Sequence, residues 1–243
     1  MKNREELLLK VMHIMSNHFK DKIVLEGGML LRLLNSPRET QDVDYLLVSE
    51  NSKKILADNI KDVISKLKEI TVRDVNLNSR GIFIGLESRD EPKISAFLEI
   101  NVVPSLLKPS TSISTIVLAG KYSMTGRIVA SMELSEAFAH KICAAVERES
   151  IRDLYDLTIL EPICEFDRDV LEKRLSKLSI KRQKARNISE TELADMLKAR
   201  ANGVTQENID KELGAWLPDE KLKGMDIIIK STVLRIVQKI IAR

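Results

Sequence analysis

Asp42 and Asp44 stand two apart in "TQDVDYLLV", residues 40–48. The second half of this stretch is apolar and reads as a strand, on which alternate side chains share a face. Both carboxylates then point one way and Val43 the other. Like charges so placed repel unless a cation lies between them. A divalent ion such as Mg²⁺ takes hard oxygen ligands and completes its shell with water and phosphate oxygens. A third acid, Glu99, lies in "ISAFLEINVV". There Ile94, Ala96, Leu98 and Ile100 fill one strand face, which leaves Glu99 on the other beside Phe97 and Asn101. Upstream, "EGG" puts Gly27 and Gly28 between a strand and a helix. Glycines there let backbone approach a phosphate at a helix N-terminus, and they equally suit a plain tight turn. The chain has no G-x-G-x-x-G and no P-loop, so those phosphate cradles are excluded.

A second group lies further on. At helical spacing, Leu134, Ala137, Phe138, Lys141, Ala145 and Arg148 form one stripe, apolar apart from its two cations. Buried cations need partners. Asp153 and Asp156, three apart in "RDLYDL", are the nearest candidates. The pattern fits an internal salt-bridge network, and it fits a lysine aimed at a phosphate with an aspartate orienting it. The stretch "KRLSKLSIKRQKAR", residues 173–186, has seven basic residues, no acid and no aromatic. It reads as a solvated helix face or as a phosphate-backbone surface using Lys177, Lys181, Arg182, Lys184 and Arg186. His13, His18 and His140 lack metal-ligand spacing and read as structural or surface residues.

The elements that must position these residues follow from periodicity. Helices are expected over 3–19, at "MLLRLL" and over 52–69, the second stopped by Asn35 and Pro37. Strands are expected at "KIVLE", at the Asp42–Asp44 run and at "TVRDVNL", "GIFIGLE" and "KISAFLEINVV". Further strands are expected at "TIVLAG" and "GRIVASM". The remainder reads as helices over 133–148, 152–161, 168–178, 189–201, 205–213 and 224–241. This is an α+β chain, a mixed-sheet N-terminal part over 1–165 and a helical part over 166–243. The boundary is expected near "EPICEFDRD", and the helices over 133–161 fit either side of it.

The 243 residues are 44% hydrophobic and 31% charged, which suits a folded, water-soluble chain. No apolar run approaches the roughly 20 residues of a membrane helix. The charged start is not a secretory signal. Two cysteines, Cys143 and Cys164, make neither a disulfide framework nor a zinc site, so a reducing cytoplasm is expected. Residues 1–160 carry 22 basic and 22 acidic side chains. Residues 161–243 carry 17 and 14, so the whole net charge of +3 lies in the C-terminal part. An anionic partner there is the corresponding expectation.

Taken together, "VLEGGMLLRLL…RETQDVDYLLV" followed by "ELSEAFAHKICAAVERESIRDLYDLTIL" resembles the AbiEii/AbiGii-type nucleotidyltransferase toxins of the DNA polymerase-beta-like superfamily. The resemblance covers roughly residues 20–160. It implies a nucleotidyltransferase-like N-terminal domain and a variable helical C-terminal one. It further implies that Asp42, Asp44 and Glu99 bind Mg²⁺ or Mn²⁺. Gly27 and Gly28 would cradle a nucleoside triphosphate. Lys141 and Asp156 would form the second essential pair, supported by Arg148 and Asp153, with Lys141 and Arg148 on the triphosphate. Arg38 and Thr40 would be supporting residues. One departure is plain: many members carry Ser or Thr directly after the glycine, where Gly28 and Met29 stand here. The implied reaction is nucleotide transfer from a triphosphate to RNA, with the tRNA 3′ end as acceptor and a cognate antitoxin protein as partner. Transfer to a small-molecule or protein hydroxyl is the alternative within the superfamily. A non-catalytic binding module with the same fold is the alternative outside enzymes.

Overall fold

The structure is a computed structural model that describes residues 1–148, 150–176, 178 and 188–242. Lys177, Lys181, Arg182, Lys184 and Arg186 of the basic stretch therefore lie outside the described residues. Backbone contacts divide the chain into two compact units, Met1–Glu133 and Leu134–Arg243. The helices over 133–161, open to either side from sequence, group with the second unit.

The first unit is a mixed sheet with helices. Helix α1 (Arg4–Phe19) starts where the Asn3 side chain accepts a hydrogen bond from the Glu6 backbone N–H at 3.0 Å. Its Leu7, Leu8, Val11, Met12 and Met15 are fully buried, as their spacing predicts. Each such side chain contributes roughly 1.5–3 kcal/mol relative to exposure. Then come β1 (Ile23–Glu26), α2 (Gly27–Leu33), β2 (Asp42–Val48) and α3 (Lys53–Ile64). After them come β3 (Ile70–Leu77), β4 (Ile82–Ser88), β5 (Ser95–Val103), β6 (Thr111–Ser114), α4 (Ile116–Gly120) and β7 (Ile128–Ser131). The sheet order is β3-β4-β5-β2-β1-β7-β6. The pairs β2–β5 and β1–β7 are parallel and the rest antiparallel. One face is the core: Val43, Tyr45, Leu47, Ile82, Ile84, Leu86, Ala96, Leu98 and Ile100 are buried on it.

Two expectations change. "TIVLAG" is not a strand: residues 116–120 form the short helix α4. Its apolar run has no alternation, and such runs do not distinguish helix from strand. Thr115 fixes the turn before α4, its hydroxyl accepting from the Arg127 N–H at 2.9 Å. Ile116 and Val117 are left exposed rather than buried in a sheet. Helix α3 stops at Ile64 rather than near 69, because the chain turns through Leu67, whose N–H bonds to the Ile64 carbonyl, into β3.

The second unit is helical: α5 (Leu134–Glu147), α6 (Ile151–Leu160), α7 (Arg168–Leu175), α8 (Glu190–Asn202), α9 (Gln206–Leu213) and α10 (Met225–Ile241). Ser150, Asp167, Ser189 and Thr205 cap the N-termini of α6 to α9 through their side chains. Helix α5 is buried nearly all round, through Ala137, Phe138, Ile142, Cys143 and Ala145 among others. Neither cysteine is in a disulfide, and burial pushes the Cys143 thiol up to about 12.

Candidate active site

Strand β2 alternates as its sequence predicts. Val43, Tyr45 and Leu47 are buried, and Asp42 and Asp44 lie half-buried on the opposite face. Strand β5 runs parallel beside it, with Asp42 level with Phe97 and Asp44 level with Glu99. Residues level across paired strands share a face, so the three expected acids meet on one surface. On the other flank β1 runs antiparallel to β2 and sets Glu26 level with Asp44. Glu26, Asp44 and Glu99 therefore form a row of acids across three adjacent strands. Glu26 was not among the residues expected from sequence. It was visible in "EGG", but placing it beside Asp44 requires the strand register, which sequence does not give.

The glycines explain how α2 comes so close to this face. Gly27 has a left-handed backbone (φ +67°), which favours glycine. A Cβ there would lie 1.9 Å from Asp44 Oδ2. A Cβ on Gly28 would lie 2.6 Å from Thr40 Oγ1. The helix they begin has only seven residues. Beyond its end at Leu33, Asn35 is also left-handed (φ +66°), and the Ser36 N–H reaches back to the Leu31 carbonyl at 2.9 Å. That reversal carries the chain back so that Thr40 lies against Gly28. Its hydroxyl donates to Asp42 Oδ1 at 2.5 Å. A hydroxyl thus does stand beside the second glycine, delivered by the loop before β2 and not by the helix. Arg38, in the same loop, is buried; its N–H donates to Ser36 Oγ at 3.3 Å and its guanidinium to the Glu39 carbonyl at 3.2 Å.

The donors on this face are all hard oxygens, the kind Mg²⁺ and Mn²⁺ take. Among the described residues, no group of three His, Cys, Asp or Glu is arranged to hold a metal by protein atoms alone.

In the second unit, Lys141 sits between the two expected aspartates. Its Nζ lies 2.7 Å from Asp156 Oδ2 and 3.1 Å from Asp153 Oδ1. Burial pulls this ammonium down, but the Asp156 and Asp153 carboxylates more than offset it, and the net shift is upward. Lys141 is thus a cation at neutral pH. The spacing of Asp153 and Asp156 on one helix face delivered both partners, as expected. Arg148 departs from the stripe: it follows the last residue of α5 and is exposed. The helix ends before the stripe completes its last turn.

The sheet thus carries the acids on its central parallel pair, beside a strand-Gly-Gly-helix turn. The family model described as "Nucleotidyl transferase AbiEii toxin, Type IV TA system" matches residues 11–230. The chain belongs to this family of nucleotidyltransferase enzymes and is a toxin of the toxin–antitoxin class by that membership. Its fold is similar to that of MenT4, nucleotidyltransferase toxin Rv2826c from Mycobacterium tuberculosis H37Rv. There the TM-score is 0.66 at 15% identity, over 94% of this chain and 81% of that one. It is also similar to JHP933 from Helicobacter pylori, with a TM-score of 0.57 at 17% identity over 99% and 94% of the two chains. No curated protein sequence matches the chain.

Proposed function

We propose that this enzyme transfers a nucleotide from a nucleoside triphosphate to the 3′ end of an RNA, a tRNA, in the cytoplasm, and that a cognate antitoxin protein counters it. The observation that carries this reading is the shared face of Asp42, Asp44 and Glu99, beside two glycines whose positions leave no room for a side chain. In the reaction, the acceptor hydroxyl oxygen forms a bond to the α-phosphorus. The bridging bond to the β-phosphate breaks, and pyrophosphate leaves with its electron pair. Asp42, Asp44 and Glu99 are the residues to hold Mg²⁺ or Mn²⁺, which when bound neutralises charge on the phosphates. Gly27 and Gly28 let the triphosphate approach the backbone, and Thr40 orients the Asp42 carboxylate through its hydroxyl. Glu99 either holds the metal at the attacking hydroxyl or takes that hydroxyl's proton. Lys141 and Arg148 are the phosphate-binding cations of the helical unit in this reading, with Asp153 and Asp156 holding the Lys141 ammonium in place.

The test is incubation of the protein with each labelled triphosphate, Mg²⁺ and total cellular RNA, beside the Asp42→Asn variant. Label on tRNA with wild type only is the expected result. Label on a protein or small molecule instead would move the acceptor out of RNA. No label anywhere, with triphosphate still bound, would leave a binding module.

A further inference from the structure

The acid-bearing face of the sheet continues past Glu99 onto β4 and β3, and there it changes character. Level with Asp42 on β5 is Phe97, a large aromatic ring left 44% exposed. The next strand puts Gly85 level with Phe97, so nothing rises from β4 beside the ring. Strand β3 then carries a bulge: Val72 pairs with Leu86 and Asp74 with Gly85, which leaves Arg73 as the extra residue. A bulge turns an additional side chain out of the regular alternation, and such irregularities collect beside active sites. Here the Asp74 carboxylate fills the space above Gly85, and the Arg73 guanidinium carbon stands 5.6 Å from the centre of the Phe97 ring. Asp74 steadies it through a 2.7 Å ion pair. The bulge, the glycine and the half-exposed ring converge on one surface: an aromatic with a guanidinium over one of its faces, a mixed stack of ring and Arg plane.

We infer that Phe97 and Arg73 form a stacking platform for the terminal base of the acceptor RNA. Unpaired bases stack on aromatic rings and on Arg planes, whatever their identity, and the guanidinium also answers the phosphate charge. The flank decides between donor and acceptor. Gly27 and Gly28 lie on the β1 side of β2, whereas Phe97 lies on the β5 side. A triphosphate drawn to the glycines leaves the Phe97–Arg73 pair to the base next to the attacking hydroxyl. The platform supplies the aromatic contact that the basic stretch 173–186 lacks. It binds a base without choosing which one. This inference rests on the RNA-acceptor reading given above.

The experiment uses the full chain and a labelled single-stranded 12-nucleotide RNA ending in CCA, with affinity read by fluorescence anisotropy. A second RNA has an abasic 3′-terminal residue. Phe97→Leu keeps apolar bulk and loses the ring face, and Phe97→Trp restores a ring. Thermal melts of both variants check folding. Base–aromatic stacking is worth enough that Phe97→Leu should weaken binding by about tenfold, with Phe97→Trp close to wild type. Wild type should lose a similar factor on the abasic RNA, and Phe97→Leu should lose nothing more. Equal binding of the CCA-ending RNA by wild type and Phe97→Leu overturns the platform alone. If Phe97→Leu instead weakens triphosphate affinity with RNA binding intact, the ring serves the donor base and the acceptor assignment is wrong. A wild type that binds no RNA overturns the RNA reading and the platform with it.

Discussion

The backbone of Gly27 and the carboxylate of Asp44 are in such close approach that no side chain fits between them: a Cβ on Gly27 would stand 1.9 Å from Asp44 Oδ2. The left-handed backbone at Gly27 adds a second reason for glycine. Gly27→Ala should therefore cost about 1–3 kcal/mol of stability and displace Asp44 from its row. Chemical denaturation will read the first effect. Transfer activity at temperatures where the variant is still folded will read the second, and it should fall by more than the folded fraction does.

Asp42 receives the Thr40 hydroxyl at 2.5 Å. Asp42→Asn should abolish transfer without unfolding the chain, and Asp44→Asn likewise. Changes merely next to a metal's ligands cost roughly 10–100-fold, so loss of a ligand charge should cost at least that. Thr40→Val, which keeps the shape and removes the hydroxyl, should produce a smaller loss of about tenfold or more. Wild-type turnover in either Asp variant would remove the β2 face from the reaction. Added Mn²⁺ is a useful second reading, since partial rescue of Thr40→Val alone would place its effect on the ligand it orients.

Lys141 is held by two acids that are themselves almost wholly buried, Asp153 at 4% and Asp156 at 0% exposure. Lys141→Met leaves those acids without their cation. Breaking a buried pair from one side costs roughly 3–5 kcal/mol, so this variant should melt well below wild type. Lys141→Met combined with Asp153→Asn and Asp156→Asn should recover much of that loss. If the ammonium also serves the triphosphate, the triple variant will be stable and inactive. A stable, active triple variant would confine the trio to a structural role.

His13 makes a different kind of test. Burial, with the Arg127 charge adding, pulls its imidazole from 6.5 down to about 4. Its Nε2 is 2.9 Å from the Thr115 hydroxyl. A group whose folded value is depressed in this way takes up protons more readily when unfolded. Its contribution is therefore fully present above pH 6.5 and is lost as pH falls from 6.5 through about 4. Urea titrations across that window should show stability dropping by roughly 1–3 kcal/mol. In His13→Gln the slope over the same window should flatten.

What sequence could reach was set by range. The parity of β2 and β5 follows from alternation over a few residues, so the common face of Asp42 and Asp44 and the outward Glu99 were legible. Lys141, Asp153 and Asp156 lie on consecutive helices, and their pairing needed only helical spacing. Glu26 was out of reach because its place in the row depends on how β1 slides against β2. Arg73 was out of reach because a bulge is a count of residues across two strands, not a pattern within one. Residues 116–120 were misread as a strand because a five-residue apolar run carries no period. The helix end at Arg148 was misjudged because the stripe continues one residue beyond the backbone that displays it.

The Thr40 hydroxyl beside Gly28 separates two things that a linear signature treats as one. Glycine and hydroxyl are neighbours in space and twelve positions apart along the chain. A search pattern that demands them side by side would discard this enzyme, although glycine and hydroxyl meet in space. The separation also gives evolution and the engineer an independent control. The segment from Leu34 to Gln41 can be lengthened, shortened or exchanged between relatives to retune the hydroxyl's reach, while the strand-to-helix corner that carries the glycines stays as it is.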